Sequence, residues 1–547
     1  MGKNFFSIII VVLFGIIAGF SLLHEGLIPT HDGEYHVVRF FLFNEAFNDG
    51  NLYPRWTNIL NNGFGVPLFT FVYPLPNYIA VFLHRLGISY IDSFRFEMFA
   101  AIIIGAIFFY LWAKESWGRL GGVVSSVFYT FSPYHFVDIY IRGSIGEVWA
   151  LAFFPAFLWG YTIFVKSNKK IFFIFSSLFL ALIIFSHNIL ALMFFFFSLS
   201  YMILLIYKEK SRKYLILNTF YLILLGLGTS SIFWLPAIYE TRYVTGLQIF
   251  NIAAHFPDLY EFLIPSWGSG FSGAGLQNQL SPQIGVANLI AVFTSLIVIL
   301  FQIKKKDKKA SYALFFLGWF IFVLFLMLSI SLPLWQAIPF MKYFQFPWRL
   351  LSIEILLASF LAGSIFSLGI NMKIKIFFAL FLIFLTFILG IGYTKPAYYH
   401  YRNDNYYITR SNFMDGTNSP GNVFNTIFLK LIPSNEKETA KFLKGSGKIV
   451  LDKIESNLYS LRISSDKDSE ILMNVAYYPG WTVYVNNKKT SIKQTKDGRF
   501  TFLVPSGKSF IRVVFEDVQI RRIASIVSFL SLVSLLVLFI KHKSSKI

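Results

Sequence analysis

Apolar runs of membrane-crossing length alternate with short, polar and mostly basic connections along most of this chain. A bilayer crossing takes about 20 apolar residues. Runs near that length fall at 5–23, 97–113, 120–136, 145–165, 171–186, 188–207, 214–236, 285–303, 311–330, 349–368, 375–393 and 522–540. The pattern predicts a polytopic α-helical membrane protein of about twelve spans. The run 68–86 is also apolar, but Pro74 and Pro76 break it, so it reads as a re-entrant or interfacial segment. Between Lys448 and Glu516 the period changes to two. Alternating runs at 449–451, 459–463, 481–485, 500–504 and 510–515 are separated by Asn486-Asn487, Asp497-Gly498 and Ser506-Gly507. Such runs and turns predict a small antiparallel, sandwich-like β domain before the last span. The expected division is a membrane domain over 1–394 with a first outer loop at 24–95, a β domain over 395–521, and a final span with a basic tail over 522–547.

Charge sets the expected orientation. The basic clusters Lys166–Lys170, Lys208–Lys213, Lys304–Lys309, Lys373 with Lys375, and Lys541–Lys546 all fall on one side if the N-terminus is cytoplasmic and 68–86 does not cross. The positive-inside rule then places both termini in the cytoplasm, and the loop 24–95 and the β domain outside the cell membrane. The same rule accounts for the net charge of +20, so no nucleic-acid partner is needed and membrane lipid is the expected surrounding. The 547 residues are 56% hydrophobic with 66 Phe and only 14% charged, which excludes a soluble globular enzyme. There is no cysteine, which excludes disulfides, thiolate catalysis and Cys-ligated metals. No small-residue cleavage site follows Leu23, so the first run reads as a retained span.

Candidate chemistry begins where the first span ends, at Thr30-His31-Asp32-Gly33-Glu34-Tyr35-His36. A helix from Asp32 to about Asn48 would place Asp32, His36 and Arg39 on one face. The Asp32 carboxylate there could deprotonate a hydroxyl, hold a metal with a nearby His, or simply cap the helix. No ligand spacing in the loop is diagnostic of a metal; none is assigned, and a divalent cation stays as the alternative. The loop continues through Tyr53-Pro54-Arg55-Trp56, Asn61-Asn62-Gly63-Phe64-Gly65 and Tyr73-Pro74-Leu75-Pro76, a rigid irregular surface or an aromatic interface belt. Arg142, Arg242, Lys342 and Arg349 fall near outer span ends, where they could bind a phosphate or snorkel to headgroups. Arg349 stands out through Phe346-Pro347-Trp348-Arg349, while Glu147 and His187 are weaker candidates.

These motifs, with Tyr478-Pro479-Gly480-Trp481 in the β domain, resemble those of the bacterial YfhO-like membrane proteins. Some of those proteins carry the label 6-pyruvoyl-tetrahydropterin-synthase-related membrane protein. The resemblance covers nearly the whole chain and implies a GT-C-like fold, that of polytopic glycosyltransferases using polyprenyl-phosphate-linked sugars at the outer membrane face. By position it makes Asp32 the catalytic carboxylate, with Glu34 second. The expected partners are a polyprenyl-phosphate sugar donor and a cell-envelope acceptor, without a cofactor, and His31, His36, Arg39, Arg55, Arg242, Lys342 and Arg349 are the expected substrate-binding residues. The chain departs from the group in lacking a tandem acidic pair, because Gly33 separates Asp32 from Glu34. Pterin chemistry does not fit, since that enzyme needs clustered histidines and a thiol, and the nine His here are scattered. A flippase of lipid-linked saccharides and a non-catalytic envelope scaffold are the competing readings.

Overall fold

The computed structural model describes residues 2–246, 251–272, 280–307, 309–409, 423–430 and 438–544; Lys308 and the end of the basic tail lie outside them. Among the described residues nine helices are long and apolar enough to cross a membrane, or ten if one bent pair counts as a single span. Lys170–Ser186 is apolar but shorter. The long helix Tyr90–Thr130 is a hairpin, folded at Gly118 (φ 76, ψ −179). Ser126 Oγ donates to the Ala106 carbonyl at 2.7 Å, and the Phe109 and Tyr129 rings stack at 4.2 Å. A straight helix would hold each of those pairs about 30 Å apart. The apolar runs 97–113 and 120–136 therefore lie in two antiparallel arms.

The bent pair, Arg212–Thr229 and Ser231–Tyr243, turns by 70°. The segment 68–86 forms two short helices, Leu68–Phe71 and Leu75–Arg85, with Pro74 at the break. Ile145–Ser167 and Pro347–Ser367 are the interior helices, each 89% enclosed over its apolar stretch, whereas Gln519–His542 is 11% enclosed and lies at the periphery. Those two interior helices carry Glu147 and Arg349.

The β domain is a pair of antiparallel sheets. One has the order β1-β4-β8-β7 and the other β2-β3-β9-β5-β6, with β1 Ala440–Lys444, β2 Gly447–Glu455, β3 Leu458–Ser465, β4 Ser469–Met473, β5 Trp481–Val485, β6 Lys488–Thr490, β7 Lys493–Gln494, β8 Phe500–Val504 and β9 Gly507–Phe515. Asn486 and Asn487 take left-handed φ values of 49° and 64°, the conformation of a two-residue hairpin turn. Four strands, β1, β4, β6 and β7, escaped the alternation because they are short or largely polar. The domain core takes in Trp56 from the first outer loop, whose ring lies 5.4 Å from Trp481 and 5.3 Å from Phe515. Gly65 leaves room for that indole, since a Cβ there would come within 2.5 Å of it. The Ala476 N–H donates to the Phe64 carbonyl at 2.7 Å, so the loop and the β domain pack as one body.

Candidate active site

The first outer loop is fastened to the segment that enters the interior helix Ile145–Ser167. His31 N–H donates to the Ile141 carbonyl and Asp32 N–H to the Arg142 carbonyl, both at 2.9 Å. Gly143, at φ +67, permits this approach, because a Cβ there would fall 2.2 Å from Thr30 Oγ1. Helix Gly33–Asn48 starts as expected, but the Asp32 side chain makes no capping hydrogen bond. Thr30 Oγ1 accepts from Gly33 N–H at 3.0 Å instead. Asp32 is left partly exposed, with no side-chain hydrogen bond or ion pair among the described residues.

His36, one turn on, is buried; its ring stacks on Phe94 at 5.9 Å and lies 6.3 Å from Tyr73. Burial, with Arg39 and His187 adding to it, holds its imidazole well below the usual range. Tyr73 is pushed upward chiefly by burial, within the electrostatic reach of Arg39, Asp32, Glu147 and Arg142, and its ring lies 5.2 Å from that of His187.

Behind this surface Glu147 receives a fork of donors. Arg142 gives Nη1 to Oε2 and Nη2 to Oε1, both at 2.6 Å, and Arg349 brings Nε to 3.0 Å of Oε1. Tyr134 donates its hydroxyl at 3.3 Å. His187 Nδ1 accepts from Leu190 N–H at 3.2 Å, so its proton sits on Nε2, which faces Glu147 Oε1 at 3.7 Å. Asp138 also meets Arg142 Nη1. Burial and then the Glu147 charge push the Asp138 carboxyl upward, against the pull of Arg142 and Arg349. Arg142 also lies over the Trp348 ring at 5.1 Å.

Arg349 is buried, not turned to lipid headgroups. Its Nη1 donates to the Phe344 carbonyl at 3.2 Å and to Gln345 Oε1 at 2.5 Å, while Nη2 has no hydrogen-bond partner among the described residues. Asp32, His36, Arg39 and Arg349 are thus drawn together through Arg142, Tyr73 and Glu147. His31 closes one side, its Nε2 bonded to the Ser269 carbonyl at 2.8 Å and its ring stacked on Phe271 at 4.8 Å. Glu34 lies in the first turn of its helix.

Arg55 and Arg242 engage other partners. Arg55 is buried, donates to the Ile232 carbonyl at 3.2 Å, and pairs with Asp517 at 3.4 Å. Arg242 is exposed over Tyr239 and Tyr243, at 3.9 and 4.9 Å. Lys342 lines an open cavity of about 460 Å³ with Asn251, Trp335 and Gln336. Among the described residues no three His, Asp or Glu side chains gather closely enough to hold a metal ion.

Tyr134 and Asp138 were not singled out by the sequence, and Tyr73 appeared there only within the Tyr73-Pro74-Leu75-Pro76 motif, not as a site residue. One signal was there to read: Asp138 and Arg142, an acid and a base spaced i,i+4 beside an apolar run, are expensive in or near a membrane unless they pair.

The family described as the 6-pyruvoyl-tetrahydropterin synthase related domain, a membrane protein, matches residues 69–392, more than half of the chain. The chain belongs to this family. An uncharacterised protein of Lactococcus lactis subsp. cremoris (strain MG1363) is 24% identical over 223 residues, which are 38% of this chain and 35% of that protein; the match thus spans about a third of the relative. Two solved structures are similar. The apo crystal structure of the Archaeoglobus fulgidus oligosaccharyltransferase has a TM-score of 0.41 and 13% identity, covering 72% of this chain and 56% of its own. The cryo-EM structure of the arabinofuranosyltransferase AftD from Mycobacteria has a TM-score of 0.43 and 14% identity, covering 71% of this chain and 27% of its own.

Proposed function

We propose that the chain is a GT-C-type membrane glycosyltransferase of about twelve spans, moving a sugar from a polyprenyl-phosphate carrier to a hydroxyl of an extracytoplasmic acceptor in the cell envelope. The supporting observation is the juxtaposition of two groups. The Asp32 carboxylate carries no capping bond, and its backbone is tied to Arg142, whose guanidinium shares Glu147 with Arg349.

In this reading Asp32 takes the proton of the acceptor hydroxyl, and the acceptor oxygen bonds to the anomeric carbon. The bond from that carbon to the carrier phosphate breaks, and its electron pair leaves with polyprenyl phosphate. A single displacement inverts the anomeric centre. Charge grows on the departing phosphate as the bond breaks, so the open Nη2 of Arg349 favours the transition state over the ground state. His31, His36 and Arg39 border the acceptor side, Glu34 supports Asp32, and Lys342 meets the carrier headgroup at the rim of its cavity. The termini are cytoplasmic and the site is extracytoplasmic. Membranes supplied with polyprenyl-phosphate sugars test the reading: wild type releases polyprenyl phosphate and Asp32→Asn does not. Equal release from both would remove Asp32 from the chemistry.

One observation favours the transporter reading. Glu354, on the interior helix Pro347–Ser367, is fully buried with neither carboxyl oxygen hydrogen-bonded, and an intramembrane carboxyl is what a transport path uses. Movement of lipid-linked saccharide across proteoliposomes by wild type, lost in Glu354→Gln while sugar transfer persists, would establish it.

A further inference from the structure

Exposed basic side chains without an ion-pair partner among the described residues occur at separated positions of the β sandwich, Lys448, Lys467, Lys508 and Arg512, and as one run at Lys488, Lys489, Lys493 and Lys496; others are paired. Lys444, Lys453, Arg462 and Arg499 each have a carboxylate partner, in Glu470, Glu455, Asp452 and Asp497 respectively. The remaining sandwich carboxylates are also engaged, Asp466 by the Ser446 hydroxyl and Asp468 by Ser506 N–H. Lys488, Lys489, Lys493 and Lys496 lie within nine residues that contain no acid, all four are exposed, and none has an ion-pair partner among the described residues.

The fold arranges these four along one flank. β6 is the outer strand of one sheet and β7 the outer strand of the other, so the segment 488–496 passes from sheet to sheet along the side of the sandwich. It starts at the Asn486–Asn487 turn, at the end of β5 remote from Trp481. It finishes beside Gly498, whose carbonyl accepts from Tyr477 N–H at 2.8 Å, next to the Ala476–Phe64 contact with the first outer loop. Nine residues reach at most about 30 Å. Lysines on outer strands also discourage edge-to-edge pairing, but glutamates would do that equally well, and Lys496 lies in a turn rather than on a strand.

We propose that this flank is a docking track for a linear acidic polymer, a chain carrying phosphate or carboxylate groups at its repeats. Uncompensated charges of one sign attract such a chain over distances up to the Debye length, about 8 Å at physiological salt. A row that leads from the free end of the domain to the first outer loop brings it toward the candidate site. A bilayer surface fits less well, because the row begins at the end of the sandwich remote from the final span. The proposal rests on the extracytoplasmic placement of the β domain but not on the transferase chemistry.

The experiment uses the full chain, purified and held in discs of neutral lipid, with fluorescent long-chain polyphosphate and polyglutamate as probes. Wild type binds at least one of the polymers, and binding falls at high salt. Replacing all four lysines by Glu weakens it by about tenfold or more, given what exposed charge pairs are typically worth. A Gln variant at the same four positions, with wild-type thermal unfolding, shows the same direction of change if the charges act directly. A Lys444→Gln/Lys453→Gln control keeps wild-type binding. Undiminished polymer binding in the Glu variant would overturn the track, as would wild-type binding to vesicles rich in anionic lipid but to neither polymer. Placement is tested separately by labelling a cysteine at Asn487: protection in intact cells would defeat the placement while leaving the binding result standing.

Discussion

Arg521 and Glu240 form a fully enclosed ion pair that joins three parts of the molecule. Nε meets Oε1 at 2.7 Å and Nη2 meets Oε2 at 2.8 Å, with neither side chain exposed. Glu240 ends the bent helix Ser231–Glu240, Arg521 opens the final helix Gln519–Ser544, and Tyr478 of the β domain donates its hydroxyl to Glu240 Oε2 at 2.8 Å. Arg521 also donates to the Pro479 carbonyl at 3.1 Å. The orientation of the β domain on the membrane domain is set here and at Trp56.

Removing one partner strands a buried charge. Glu240→Gln and Arg521→Leu are each expected to lower stability by about 3–5 kcal/mol, with the paired apolar replacement Glu240→Leu/Arg521→Leu recovering most of it. Thermal unfolding of the purified protein measures the difference. Equal losses in single and double variants would mean that packing, not charge, holds the junction.

Thr30 and Asp32 should separate stability from chemistry. Thr30→Val deletes the bond to Gly33 N–H and is expected to cost about 0.5–2 kcal/mol. Asp32→Asn should leave unfolding unchanged while reducing sugar transfer by about 10²–10⁴, the usual loss for one general base. An Asn variant that unfolds early but transfers normally would make Asp32 a structural residue.

Arg349→Lys keeps the charge near Glu147 but cannot present Nε and Nη2 together. Transfer should fall measurably, and Arg349→Ala should lower it further, by about 10²–10³ if the group acts as a preorganised donor to the leaving phosphate. The rate of polyprenyl phosphate release at saturating donor checks this. An unchanged rate in the Lys variant would point to Lys342 as the phosphate ligand.

Acid should weaken the fold through His36. Burial first, then Arg39 and His187, hold its imidazole well below the usual range, so the unfolded chain binds more protons than the folded one. The stability this contributes is complete above the ordinary imidazole value of about 6.5 and is lost as pH falls below it. Between about pH 7 and pH 5, the melting temperature of wild type should drop more than that of His36→Phe. Parallel curves would show that His36 does not titrate in the unfolding range.

Much of the architecture was legible in one dimension, because each level has its own period. Long apolar runs must be helices in lipid, where backbone groups find partners only within the segment. Alternation with Asn486-Asn487 and Asp497-Gly498 turns announced the β domain for the same kind of local reason. The helix after Asp32 was legible too, from the residues that start it.

The rest depended on contacts between residues far apart in the chain. No local pattern says that Thr30, and not Asp32, satisfies the first helical N–H. That follows from the seating of the 30–33 loop against Gly143. The partners of Arg349 are equally non-local, since its fork meets Glu147 only because two interior helices, Ile145–Ser167 and Pro347–Ser367, lie side by side. The contacts of Arg55, with the Ile232 carbonyl of the bent helix and with Asp517, are non-local in the same way. Periodicity shows which residues share an element's face, but ion pairs and hydrogen bonds are decided by which elements face one another, and in this protein packing around the interior helices made that choice.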